Sequence, residues 1–179
     1  DLMKTNPYAE RLGALAKKAE ALNLDAVLLF TEVNRLAVTG VACDNGCLIV
    51  EPGRCTTFYT DFRYSVMAAR VAPWLDTRDI WKGAGEIKAL HALGRRWRRV
   101  GYEGLISAAR YIRLTEAMPN AAFVDVAGEL AELRSVKTPD EIARLRAAEA
   151  MNDRVWAETC RRIRPGMTVA DIGAGEGYY

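Results

Sequence analysis

Few side chains in this 179-residue chain are placed to do chemistry. His91 is the only histidine, flanked by Leu90, Ala92 and Leu93 in a helix-like stretch. A general base or metal ligand needs convergent partners, and none adjoins it, so His91 reads as a helix-surface or half-buried residue. Cys43, Cys47 and Cys55 fall in one short region, with Cys160 far away. Their spacing matches no zinc framework and no histidine is near, so they read as reduced thiols of a cytoplasmic protein. Asp61 and Arg63 form a charged pair where a strand gives way to a helix. There Asp61 can cap the helix and Arg63 can pair with a nearby carboxylate. Val41-Ala-Cys43-Asp44-Asn45-Gly46 carries two polar residues, Asp44 and Asn45, into an Asn-Gly turn of the kind that leads into a hairpin.

Two further stretches invite a functional reading. Arg95, Arg96, Arg98 and Arg99 surround Trp97, a combination that can grip RNA. It can equally complement a helix C-terminus and solvate an edge strand. The structural reading is preferred, because a net charge of +2 gives no electrostatic argument for nucleic acid. Val169-Ala-Asp171-Ile-Gly173-Ala-Gly175-Glu-Gly177 resembles the first motif of S-adenosylmethionine methyltransferases, a strand ending in an acidic residue and then a glycine-rich turn. The sequence given stops two residues later, without the helix and second acidic residue that complete such a site. As a helix, the stretch would lose ~1 kcal/mol at each glycine relative to alanine. It is therefore expected to be a frayed, truncated or artificial tail.

The elements that must position these residues follow from periodicity. Thr5-Asn6-Pro7 opens a helix whose apolar face is Leu12, Leu15, Ala16, Ala19 and Leu22. Asp25–Phe30 is a continuous apolar run of strand length, which predicts burial on both faces. Asn34–Gly40 is expected as a turn. Gly46–Glu51 and Cys55–Thr60, joined by Pro52-Gly53, predict a hairpin. Helix and strand then alternate: helix 62–72, strand 76–81, helix 84–97, strand 99–103, helix 107–118, strand 121–126 and helix 127–136. This order predicts an α/β fold, a mixed β-sheet with helices on both faces. Thr138-Pro139-Asp140-Glu141 has the spacing of a capping box with proline at N1. It opens a long helix over 138–164 that ends at Pro165-Gly166. The expected domains are 1–132, an α/β domain; 133–164, a linker and connecting helix; and 165–179, the truncated start of another domain or a tail. No apolar run approaches the ~18 residues of a membrane span, and no secretion signal opens the sequence.

Seven segments, in order, resemble the amino-terminal half of the creatinase/prolidase/aminopeptidase P family of "pita-bread" metallopeptidases. They are Tyr8-x-x-Arg11-Leu12, Leu24-Asp25-Ala26-Val27-Leu28, Asn34-Arg35-Leu36-Ala37-Val38-Thr39-Gly40, Thr60-Asp61-Phe62-Arg63-Tyr64, Gly101-Tyr102-Glu103, Leu133-Arg134-x-x-Lys137-x-x-x-Glu141-Ile142 and Arg164-Pro165-Gly166-Met167-Thr168. The third departs from the family's Asn-Ile-x-Tyr-Leu-Thr-Gly at Ala37 and Val38.

The resemblance implies an RNase H-like α/β domain that mediates homodimer contacts and walls the active site. It implies that Cys43, Asp44 and Asn45, which follow the Thr-Gly, face a substrate pocket, where the two polar residues would recognise an amine or carbonyl. It places the chemistry, hydrolysis of Xaa-Pro peptide bonds, in a carboxy-terminal domain. There two Asp, one His and two Glu hold two divalent metal ions (Mn, Co or Zn). None of those ligands falls within this sequence, so the resemblance implies no catalytic residue, metal or cofactor here and no activity for the fragment alone. The implied partner of the whole protein is a proline-containing peptide, with neither nucleic acid nor membrane. Some relatives keep the fold without metals and bind proteins, which leaves a binding module as the alternative. A fusion to a methyltransferase is the third reading.

Overall fold

The computed structural model describes residues 6–79 and 84–176 and divides into two units, one ending at Val136 and the other starting at Lys137. The first unit opens with α1 (Pro7–Ala21), where Asn6 Oδ1 accepts from the backbone N–H groups of Tyr8 (3.0 Å) and Ala9 (3.3 Å). Asn6 thus supplies the cap; Thr5 lies outside the described residues. Next come β1 (Ala26–Leu29), α2 (Glu32–Thr39), β2 (Cys47–Val50), β3 (Thr57–Thr60) and α3 (Phe62–Val71). They are followed by β4 (Asp76–Asp79), α4 (Ala84–Gly94), β5 (Arg99–Tyr102), α5 (Ala108–Ala117), β6 (Ala122–Asp125) and α6 (Ala127–Ser135).

The six strands form one sheet in the order β4-β3-β2-β1-β5-β6. The β1–β2 and β2–β3 pairs are antiparallel, and the β1–β5, β3–β4 and β5–β6 pairs are parallel. This is the mixed sheet expected from a hairpin followed by βα units. Side-chain alternation splits the core in two. Val27, Leu29, Leu48, Val50 and Phe58 face a layer containing Leu15 and Ala19 of α1, Val38 of α2, Ala68 of α3 and Leu130 of α6. Ala26, Leu28, Cys47, Ile49 and Tyr59 face Leu90 of α4 and Leu114 of α5, together with Trp97 and Met118. β1 and β2 are buried throughout because both faces are covered.

Three expectations are corrected. Asn34–Gly40 is not a turn: Glu32–Thr39 is a helix that buries Asn34, Arg35, Val38 and Thr39. Its inward face carries an amide and a guanidinium, so an apolar-periodicity reading misses it. The helix expected over 84–97 ends at Gly94; Trp97 follows a turn and is still buried. The basic residues beside it solvate no edge, since β5 lies between β1 and β6. Instead Arg96 Nη2 bonds both Glu51 carboxylate oxygens, at 2.6 and 2.7 Å, and Trp97 Nε1 donates to Glu51 Oε1 at 3.0 Å. The strand expected over 76–81 is described only to Asp79, and Trp81 lies outside the described residues. His91 is exposed on α4.

The second unit holds α7 (Pro139–Arg162) and α8 (Val169–Glu176). The capping box is formed: Thr138 Oγ1 accepts from Glu141 N (3.1 Å) and Glu141 Oε2 accepts from Thr138 N (2.8 Å). Twenty-four residues make α7 a rod of about 36 Å. Ile142, Leu145 and Met151 of α7 are exposed. The glycine-rich stretch is helical over its described part. Asp171 Oδ2 accepts from Thr168 N (2.8 Å) and Oγ1 (2.7 Å), while Thr168 Oγ1 accepts from Asp171 N (3.2 Å). This reciprocal cap offsets part of the glycine penalty, and it puts Asp171 in the first turn of a helix, not at the end of a strand. Among the described residues no helix is long and apolar enough to cross a membrane.

Candidate functional site

Sheet pairing decides which polar residues meet. Cys47 at the start of β2 lies opposite Tyr59 near the end of β3. The loop entering β2 and the turn leaving β3 must therefore share one end of the sheet. The loop begins at Gly40, the left-handed C-cap of α2 (φ 73°), and closes at Gly46 (φ 115°). A Cβ at Gly46 would collide with the Tyr59 carbonyl oxygen, so glycine is required there on two counts.

The three loop residues singled out from sequence occupy different surroundings. Cys43 is buried; its Sγ lies 2.7 Å from the Asn45 carbonyl oxygen and 3.4 Å from Thr60 Oγ1. Asn45 is held on both sides of its amide: Oδ1 accepts from Thr60 Oγ1 at 3.1 Å and Nδ2 donates to Asp61. Asp44 projects outward with 65% of its side chain exposed, 3.9 Å from Arg63 Nη2. Hydrogen bonding to Asp44 is the first cause of the upward shift of the Tyr64 phenol.

Asp61 and Arg63 have the structural roles expected of them. Asp61 caps α3, accepting from Arg63 N at 2.9 Å. The Arg63 guanidinium closes on it through Nε (3.0 and 3.1 Å) and Nη2 (2.6 Å). Hydrogen bonding to Arg63, ahead of that from Asn45, lowers the Asp61 carboxyl from 3.8 to about 2. The same bond raises the Arg63 guanidinium. Asp61 is thus a fixed, saturated anion and Asp44 an exposed one beside a cation and a phenol.

A second polar system lies behind the loop, and reading the sequence missed it. Glu103, at the end of β5, is 1% exposed. Its carboxylate accepts from Phe30 N, Thr31 N, Thr31 Oγ1 (2.6 Å) and Asn34 Nδ2. It thereby caps α2, whose N-cap Thr31 makes no cap bond of its own. Asn34 Oδ1 takes a bond from Arg134 of α6. Arg35, also 1% exposed, donates to the carbonyls of Phe30, Gly46 (2.9 Å) and Cys43 (2.7 Å). The segments Asn34-Arg35, Gly101-x-Glu103 and Leu133-Arg134 are thus parts of one buried assembly. Their shared signal was that each belongs to one of the seven segments carrying the family resemblance. Among the described residues no group of three or more His, Cys, Asp or Glu could hold a metal ion, and a dinuclear centre does not fit this site.

Residues 11–136 match the sequence profile of the creatinase/prolidase N-terminal domain. The chain belongs to this family. Comparison with curated proteins finds no match. Among solved structures, the chain is similar to an Xaa-Pro dipeptidase from Bacillus anthracis, with 23% identity, a TM-score of 0.82, and coverage of 94% of this chain and 47% of the other. A prolidase from Pyrococcus horikoshii gives 19% identity, a TM-score of 0.83 and the same coverages. The N-terminal domain of the cytoplasmic peptidase PepQ from Mycobacterium tuberculosis is 26% identical, with a TM-score of 0.62, over 69% of this chain and 98% of that one. The chain therefore spans about half the length of the two peptidases and all but a sliver of the isolated domain. The match to the family profile and the first unit both end at residue 136.

Proposed function

We propose that this chain is the non-catalytic N-terminal half of an Xaa-Pro dipeptidase or aminopeptidase P-like hydrolase. In this reading the domain supplies homodimer contacts and one wall of the substrate pocket, with Cys43, Asp44 and Asn45 on that wall. The observation that carries it is the division of labour within the loop. Cys43 and Asn45 are committed to Thr60 and Asp61, whereas the Asp44 carboxylate stands exposed at the same sheet end. An exposed anion on a fixed loop suits a peptide's ammonium group, and the adjacent Arg63 guanidinium can donate to a carbonyl. Two divalent metals (Mn, Co or Zn) belong, in this reading, to the part of the parent beyond this chain. The same part would cover exposed apolar residues of α7 such as Leu145 and Trp156. The parent is assigned to the cytoplasm with its thiols reduced.

The test uses the parent's longer reading frame, purified with manganese and assayed on Xaa-Pro dipeptides. Asp44→Asn should raise KM about 10-fold, the worth of one charge-assisted hydrogen bond, with kcat little changed. This chain by itself should be inert in the same assay. A parent without Xaa-Pro hydrolysis, or an Asp44→Asn parent with unchanged KM, would overturn the assignment. In the first case a metal-free protein-binding module takes its place.

A further inference from the structure

Asp44 and Asn45 are bracketed by Cys43 and Gly46, and the backbone carbonyls of these two flanking residues end on one side chain. Arg35 Nη2 donates to the Cys43 carbonyl at 2.7 Å and Nη1 donates to the Gly46 carbonyl at 2.9 Å. Nη1 also donates to the Phe30 carbonyl, just after β1. The guanidinium therefore spans both feet of the loop and ties them to the sheet. Arg35 is itself held on α2, whose N-terminus is fixed by Glu103. Thr39 Oγ1, one turn on, donates to the Arg35 carbonyl at 2.7 Å and accepts from Val41 N at 3.1 Å, securing the first residues of the loop.

We propose that Arg35 is a positioning residue: a buried fork that fixes the backbone of 43–46 so that Asp44 is presented outward in one geometry. This rests on the pocket-wall reading for its purpose, though not for its physics. A planar fork can hold carbonyls from two nitrogens at once; an ammonium is a point donor and cannot span both feet. Arg35→Lys should therefore keep the buried charge and the helix yet release one foot.

The loop carries its own reporter. Cys43 is 2% exposed and sits in the clamped segment, whereas Cys47 is 0% exposed and sits in β2. Cys55 and Cys160 are exposed and label at once. The experiment is timed labelling of the native chain with a maleimide, read by peptide mass spectrometry. In Arg35→Lys, Cys43 should react about 10- to 100-fold faster than in wild type, the factor set by one or two hydrogen bonds to a charged group. Cys47 should keep its wild-type rate. Arg35→Met, which abolishes all three bonds, should widen the gap between the two thiols.

Two results would overturn the proposal: unchanged protection of Cys43 in Arg35→Lys, or equal acceleration of Cys43 and Cys47, which marks general destabilisation. Asp44→Asn in the same assay should leave Cys43 protected. If the clamp result holds while the Asp44→Asn parent keeps its KM, the pocket-wall reading has failed and the clamp has not.

Discussion

Replacing Glu103 with glutamine alters one atom type inside the buried assembly and tests whether that assembly holds the domain together. The carboxylate receives two backbone N–H groups on Oε1 and the Thr31 hydroxyl and Asn34 amide on Oε2. In Glu103→Gln the oxygen can keep the backbone pair, and the Thr31 hydroxyl can rotate to accept from the new NH2. Asn34 cannot adapt, because turning its amide would give up the bond from Arg134. At least one buried donor is left facing another donor, which costs about 1–3 kcal/mol, and the remaining bonds lose their charge assistance. Relief of a buried charge works the other way, so the net loss should be about 2 kcal/mol. For a unit of this size that is a fall in Tm of roughly 6–10 °C, readable by circular dichroism at 222 nm. Asn34→Ala should couple to it by more than about 0.5 kcal/mol in a double-mutant cycle. A Glu103→Gln chain melting within about 2 °C of wild type, or additive effects at the two positions, would show that Glu103 is merely tolerated.

Three other outcomes follow from the site. Because the Asp61 carboxyl is lowered from 3.8 to about 2, its contribution to stability is present above the ordinary value and is lost as pH falls through about 2. The gap in guanidinium midpoint between wild type and Asp61→Asn should thus be flat at neutral pH and close only in strong acid. Tyr64 should ionise above the ordinary tyrosine range by ultraviolet titration, and Asp44→Asn should bring it back down, since the hydrogen bond to Asp44 is the principal cause. Gly46→Ala should destabilise the chain by at least ~1–3 kcal/mol in denaturant melts, because the position combines φ 115° with a collision against the Tyr59 carbonyl.

Several structural assignments were legible because local chemistry alone decides them. Asn6-Pro7 and Thr138-Pro139-x-Glu141 are start signals whose donors and acceptors lie within three residues, and each caps the helix it predicted. The unbroken apolar run of β1 required cover on both faces. The site was only half legible. Asp61 as a cap and Arg63 as its partner follow from adjacency, while α2 was hidden because its inward face is amide and guanidinium. The tail from Val169 misled in the opposite direction: glycine content argued against a helix, and a reciprocal Thr168–Asp171 cap supports one.

The sequence by itself determined the alternation of elements, the helix caps and the ordered motifs that mark the family. Each depends on residues near one another along the chain. Tertiary structure alone decided that Arg35, Cys43 and Gly46 form one clamp, that Glu103 caps a helix some seventy positions earlier, and that Thr60 and Asp61 brace Asn45. Those contacts exist because antiparallel pairing brings the start of β2 beside the end of β3, and parallel pairing sets the end of β5 beside the end of β1. Strand register joins positions distant in sequence, and local residue preferences carry no record of that pairing.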